Sequence, residues 1–361
     1  MATQCVAPPG YFEAVVTRLS SARRLRQRIP LFAFSHALSS SSWNLQNHCS
    51  RKCRSAIACD ENVSASSSTA ADAFRLTFLE GNSWLWDIDG VKILVDPILV
   101  GNLDFGIPWL YDASKKVIKN YQLSDLPKLD LLLITQSLDD HCHMKTLAPL
   151  AQRVHDLKVL ATPNAKLLLD PLFKHVEYLE PGESSDVVTE NGSRVKIQAT
   201  AGPVLGPPWQ RPENGYLVRS SQGTTLYYEP HCVYDKERLA HERADIVITP
   251  VIKQLLPGLT LVSGQEDAVQ LVKALQAKYY FELSLNPSSN VSSSVIHQNL
   301  LGDCRIIVPM KNGDLESKGI LSLIIRGEGT MESFKDLLNK EIPGSQVLVP
   351  TPGVPLDVLV V

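Results

Sequence analysis

Asp130-Leu131-Leu132-Leu133-Ile134-Thr135 runs without a break into Gln136-Ser137-Leu138-Asp139-Asp140-His141-Cys142-His143. The first half is a continuous apolar and β-branched run, the pattern of a strand covered on both faces. The second half is polar and closes on five consecutive side chains that can bind a cation, Asp139 to His143. A rigid buried strand that ends in such donors fixes their directions at the rim of a sheet. The stretch predicts a covered sheet with a ligand cluster at its edge.

Upstream, Phe74 to Phe78 and Ser83 to Ile88 alternate in strand fashion. Asp89-Gly90 is a hairpin turn, and Val91 to Val95 pairs back until Asp96-Pro97. This antiparallel opening is unlike a doubly wound nucleotide fold. Downstream, a helix is expected over Met144 to Val154 and a strand over Val159 to Ala161, with Thr162-Pro163 opening another helix. Past Pro181-Gly182 the texture turns to strands again, at Arg194 to Thr200, Gly215 to Arg219, Thr224 to Tyr228 and Asp245 to Thr249. Ser263-Gly264-Gln265-Glu266 reads as a capping box. Behind it Ala268, Leu271, Val272 and Leu275 share one helix face. Two antiparallel-rich halves, each followed by helices, predict an α+β protein: two mixed sheets packed together with helices outside. Residues 74–361 carry no evident linker and read as one domain, long enough for a large core.

The chain has 361 residues, 44% hydrophobic and 20% charged, with a formal net charge of −3. That composition is ordinary for a globular protein and argues against a general nucleic-acid binder. No window approaches the roughly 18 uninterrupted apolar residues of a membrane-spanning helix. Charge is unevenly spread. Before Asp60 there are eight basic residues and one acid, Glu13; from Asp60 onward acids outnumber bases by ten. An Arg- and Ser-rich, acid-poor segment over 1–58 reads as a transit peptide, disordered before import. Ser55-Ala56-Ile57-Ala58-Cys59 looks like a stromal processing site, which points to the chloroplast stroma. A basic tail that binds an anionic partner is the competing reading. A low-complexity linker follows over 59–73. Of seven cysteines, Cys142, Cys232 and Cys304 lie beyond the leader, widely spaced and odd in number, so no disulfide framework is implied.

Two elements in order resemble the metallo-β-lactamase-like hydrolases. Leu94-Val95-Asp96-Pro97 matches the strand end of their first hairpin, and Asp130 to His141 matches their strand-and-ligand element. The likeness, closest to the sugar-lactone-hydrolase-like branch and covering about 74 to 300, implies an αββα four-layer sandwich with a metal site where the two sheets meet. It also implies hydrolysis of a small-molecule ester, lactone or phosphoester with zinc or another divalent cation. The family's first two histidines fall on Gln136 and Leu138, while Asp140 and His141 keep their places. The next histidine would lie near Pro203, the following acid near Glu229-Pro230-His231, and the last histidine near Ser284-Leu285-Asn286. An ordinary two-zinc set is therefore incomplete. The expectation is a rebuilt single-metal site of Asp140, His141, His143 and His231, with Asp140 and Glu229 as the catalytic carboxylates.

Each of these residues has a simpler reading. Asp140 can cap a helix with His141 solvated. His143 can lie on the surface, Glu229-Pro230-His231 can be a turn, and Cys142 a small buried hydrophobe. Asp96 and Pro97 read as structural, supporting the loop and stopping the strand. Gly206 to Pro212, with Trp209 and Arg211, is a stiff loop that suits a substrate lid, a docking surface or a plain loop. At the level of the whole chain the alternative to a hydrolase is a metal-free member of the fold that binds a ligand or protein in the old cleft.

Overall fold

The structure is a computed structural model and describes residues 72–207, 209–275 and 306–360. The leader over 1–58, nearly all of the linker, Cys304 and the segment around Ser284 lie outside the described residues. The strands are β1 (Asp72–Phe78), β2 (Trp84–Ile88), β3 (Val91–Val95), β4 (Asp112–Ser114), β5 (Leu131–Ile134), β6 (Lys158–Ala161) and β7 (His175–Tyr178). Then come β8 (Ser184–Val188), β9 (Arg194–Ala201), β10 (Asn214–Arg219), β11 (Thr225–Tyr228), β12 (Ile246–Pro250), β13 (Lys253–Leu256) and β14 (Leu259–Val262). The last are β15 (Ile306–Met310), β16 (Glu316–Lys318), β17 (Arg326–Glu328), β18 (Gln346–Val347) and β19 (Pro355–Val360). The described helices are α1 (Met144–Arg153), α2 (Lys166–Leu169), α3 (Lys236–Leu239), α4 (Gln265–Ala274), α5 (Ile320–Ile324) and α6 (Met331–Glu341).

Two seven-stranded sheets carry the fold, in the orders β19-β1-β2-β3-β5-β6-β7 and β18-β15-β12-β11-β10-β9-β8. Both are mixed. The β2–β3 hairpin turns on Asp89 (φ 52°) and Gly90 (φ 85°), the left-handed pair that a tight two-residue turn demands. From β3 the chain crosses to parallel β5, β6 and β7. In the second sheet β8 to β11 form an antiparallel meander and β12, β15 and β18 continue it in parallel.

Alternation in β2 sends Trp84, Trp86 and Ile88 into the space between the sheets, where they meet Ile197, Tyr216, Val218, Tyr228 and Ile248. Trp86 and Tyr228 meet edge to face across that space, ring centres 5.5 Å apart. The other face of the first sheet packs on α1 and α2 through Leu132, Leu147, Leu150 and Leu169. The other face of the second sheet packs on α4 and α6 through Val247, Leu271, Phe334 and Leu338. The result is the helix–sheet–sheet–helix sandwich expected from the sequence. Every residue of β5 is buried, as its unbroken apolar run requires.

The capping box expected at Ser263 does not form. The helix starts one residue later with Gly264 at its N-cap and no side-chain cap. A Cβ at Gly264 would come 2.9 Å from the Lys253 Cβ, so close approach of β13, not capping chemistry, selects the residue there.

Candidate metal centre

The candidate site lies where β5 leaves the first sheet and β11 leaves the second. Backbone bonds sew the two ends together. Asn214 N–H donates to Thr135 O at 3.0 Å, and the Tyr216 hydroxyl donates to Ile134 O at 2.9 Å. After Thr135 the chain does not enter a helix. His141 N–H and Cys142 N–H both fold back onto Leu138 O, a turn that faces His141 inward. Helix α1 begins only at Met144, so Asp140 is not its cap.

His141 is fully buried and held from both ring nitrogens. Its Nδ1 lies 2.9 Å from Asp96 Oδ2, and its Nε2 lies 3.2 Å from Asp140 Oδ2 and 3.1 Å from Asn82 Nδ2. Asp96 in turn accepts from Thr135 N–H at 2.8 Å and from the Thr135 hydroxyl. It stands at the end of β3 with φ 42°, a conformation that Asp and Asn tolerate better than most residues. The acid read as a loop support is thus the orienting partner of the central histidine. Asn82 is placed by its own backbone, whose carbonyl accepts the Tyr228 hydroxyl at 3.0 Å.

From the opposite sheet, His231 brings its ring centre to 5.0 Å from that of His141, at 73°. Its backbone is pinned by Ser263 N–H on His231 O at 2.9 Å. Asn312 Nδ2 secures the neighbouring Pro230 O at 3.1 Å. Glu229 is buried, and its Oε2 accepts from the N–H groups of His231 at 3.1 Å and Val233 at 2.6 Å. Gln136 reaches across the seam, placing Nε2 2.6 Å from His231 Nδ1 and 3.4 Å from Glu229 Oε1. Gly215 leaves room for this acid, since a Cβ there would lie 3.0 Å from the Glu229 Cβ.

Burial and mutual charge set the protonation states. Burial alone would push His141 down, but Asp140 and Asp96 outweigh it and raise the ring to about 10. Burial works to raise Asp140, yet the facing His141 holds it at about 2. Burial, helped by the nearby His141 charge, drops His231 to about 3, so its ring is neutral. Glu229 is pushed up to about 8 by burial, against the pull of its two backbone donors.

One ligand atom each from Asp140, His141 and His231 lies within 4.8 Å of the others, the one such group of three among the described residues. These donors fit a cation: one carboxylate and two imidazoles converge, and Asp140 Oδ1 is buried without a partner. Asp140 is the most open of the three to solvent, with its side chain 20% exposed. Leu138 and Pro203 offer no donor where the family has histidines, so the described residues do not supply a second complete set. His143 stands apart from the group. It is the N-cap of α1, where its Nδ1 meets the Thr146 hydroxyl at 2.9 Å. That hydroxyl also accepts from Leu99 N–H and Val100 N–H, so Thr146 ties the helix start to the loop after Asp96 and His143 supports it. Sequence reasoning missed Asn82, Asp96 and Gln136 as members of the site. Asn82 is a lone polar residue before a strand and carries no periodic signal. Trp209 on the stiff 206–212 loop stands open to water, 84% exposed.

The family model for the beta-lactamase superfamily domain matches residues 75–283, more than half of the chain. No curated protein matches the sequence. Among solved structures the chain is similar to Igni18, a metallo hydrolase from the archaeon Ignicoccus hospitalis, at 14% identity and TM-score 0.50, covering 79% of this chain and 98% of that one. It is also similar to isothiocyanate hydrolase from Delia radicum gut bacteria, at 16% identity and TM-score 0.52, covering 80% of this chain and all of that one. At such identities the likeness is one of fold.

Proposed function

This chain belongs to the beta-lactamase superfamily, and from that membership we propose that it is a metal-dependent hydrolase with a single divalent cation held by Asp140, His141 and His231. The observation that carries the reading is the convergence of those three donors within 4.8 Å at the seam of two sheets. A bound divalent cation supplies Lewis acidity, polarising a carbonyl or phosphoryl oxygen of a small-molecule ester, lactone or phosphoester.

The chain's own residues do the rest. Asp96 orients the His141 ring through Nδ1, leaving Nε2 to face the site. His231 stays neutral. Glu229, pushed up to about 8, exchanges a proton near neutral pH and is suited to general acid or base work. Asp140 sits where substrate reaches the cluster from solvent. The buried walls of β5 and β11 keep bulk water from the remaining donors.

The test is the metal content of the purified protein beside an Asp140→Ala/His141→Ala double variant. About one divalent cation per chain is expected in the parent and none in the variant. Hydrolysis across a panel of esters, lactones and phosphoesters should fall with a chelator. Equal and negligible metal in both proteins would leave the other reading, a metal-free binding module.

A further inference from the structure

Two carboxamides stand inside the donor group, and both are presented in the same unusual way. Asn82 is 5% exposed and Gln136 is fully buried. The NH2 of Asn82 lies between two of the three candidate donors, 3.3 Å from Asp140 Oδ2 and 3.1 Å from His141 Nε2, and it also donates to Asp140 O at 3.2 Å. The NH2 of Gln136 lies between the third donor and the nearby acid, 2.6 Å from His231 Nδ1 and 3.4 Å from Glu229 Oε1. Each amide thus sets its partial positive charge against groups that attract a cation. Each also leaves its carbonyl oxygen, Asn82 Oδ1 and Gln136 Oε1, buried with no partner. Buried amide oxygens in native proteins are almost always bonded, and two orphans beside one cluster call for a cause.

We propose that Asn82 and Gln136 belong to the cation's donor set, turned over about the last torsion so that their oxygens face it. The turn exchanges an oxygen for an NH2 of nearly the same size; at Asn82 it gives up the hydrogen bond to Asp140 O, which the bond to the cation offsets. It replaces two orphaned oxygens with two cation ligands. It also adds neutral oxygen donors to one carboxylate and two imidazoles, and carbonyl oxygens suit a harder ion such as Mn2+ better than they suit Zn2+. The site therefore gains more for Mn2+ than for Zn2+ from these two residues. The inference rests on the hydrolase reading, because it takes the cation site as given, but it concerns residues that this reading does not use.

The experiment is cation binding by the full chain freed of metal, with Mn2+ followed by the spin-resonance signal of the free ion and Zn2+ by chelator competition. Asn82→Leu and Gln136→Leu should each weaken Mn2+ binding about 10-fold or more, and Zn2+ binding by less. Asn82→Asp and Gln136→Glu keep the shape and an oxygen but lose the NH2. They should bind Mn2+ at least as tightly as the parent. If the leucine variants bind Mn2+ as the parent does, the proposal falls and the cation site itself stands. If the carboxylate variants are as weak as the leucine ones, the NH2 groups are what matter and the proposal again falls. A parent chain that binds neither ion overturns the hydrolase reading and this inference with it.

Discussion

At the scale of single residues, His141 is the hinge of the site. An acid sits on each of its nitrogens, Asp96 at 2.9 Å and Asp140 at 3.2 Å. In the absence of a cation the ring keeps its proton up to about 10. The sign of the pH dependence follows. A histidine raised above its ordinary value stabilises the fold fully below that value and loses the contribution as pH rises toward 10. Glu229, held protonated to about 8, acts in the same direction, because the unfolded chain ionises first. We expect the melting temperature of metal-free protein to fall from about pH 6.5 to pH 10, and added cation to reverse the fall. A flat profile over that window in scanning calorimetry would refute the assignment. Cation uptake at pH 8 should also release protons, measurable by calorimetry in buffers of different ionisation heat. Asp96→Asn keeps a residue that tolerates φ 42° but removes the charge on Nδ1. It should lower cation affinity about 10- to 100-fold with the fold intact by circular dichroism.

Not all of this was open to reading along the chain. Asp140 and His141 could be named as candidate donors because the family pattern keeps them in place; it expects an acid near Glu229-Pro230-His231, and His231 entered the candidate set as compensation for the histidines missing elsewhere. His143 looked equivalent to His141, since His-x-His spacing does not reveal where a turn ends and a helix begins. The turn onto Leu138 O sends the first inward and leaves the second at the helix start. Gln136 looked like a lost ligand because an amide is a poor match for zinc, and only its position between His231 and Glu229 gives it significance.

At the scale of elements, local signals served well. The Asp-Gly turn, the alternating Trp84-Leu85-Trp86 and the unbroken Leu131 to Ile134 run each encode their strand within a few residues. What no local signal encodes is partnership at a distance. Strand β19 pairs antiparallel with β1, Val358 opposite Phe74, and closes an edge that would otherwise stand open. Tight spots are equally invisible. Gly215→Ala places a methyl against Thr200 Oγ1 at 2.7 Å and the Glu229 Cβ at 3.0 Å. We expect a loss of roughly 1–3 kcal/mol in urea denaturation, with reduced cation binding because Glu229 is displaced. Tyr228→Phe removes the hydroxyl that holds Asn82 O and should cost about 1 kcal/mol by the same measurement.

At the scale of the whole molecule, the two sheets share one apolar interior centred on Trp84, Trp86, Tyr216 and Tyr228. Trp86→Ala leaves a cavity at the facing Tyr228 and should cost about 3–5 kcal/mol, read as a lower denaturation midpoint. That the two halves would form facing sheets was legible from their strand-rich texture. How closely their ends would be joined was not, because the joining bonds run from Asn214 and Tyr216 to the backbone of β5 and Thr135.

Those seam bonds have a bearing on how the protein can move. Gln136 comes from one layer and Glu229 and His231 from the other, so a sliding of the layers would be felt first as a change in the spacing of the reactive groups. A core substitution far from any donor would then detune the chemistry before it unfolds the chain. Cohesion and reactivity in this molecule are gauged by the same few ångströms.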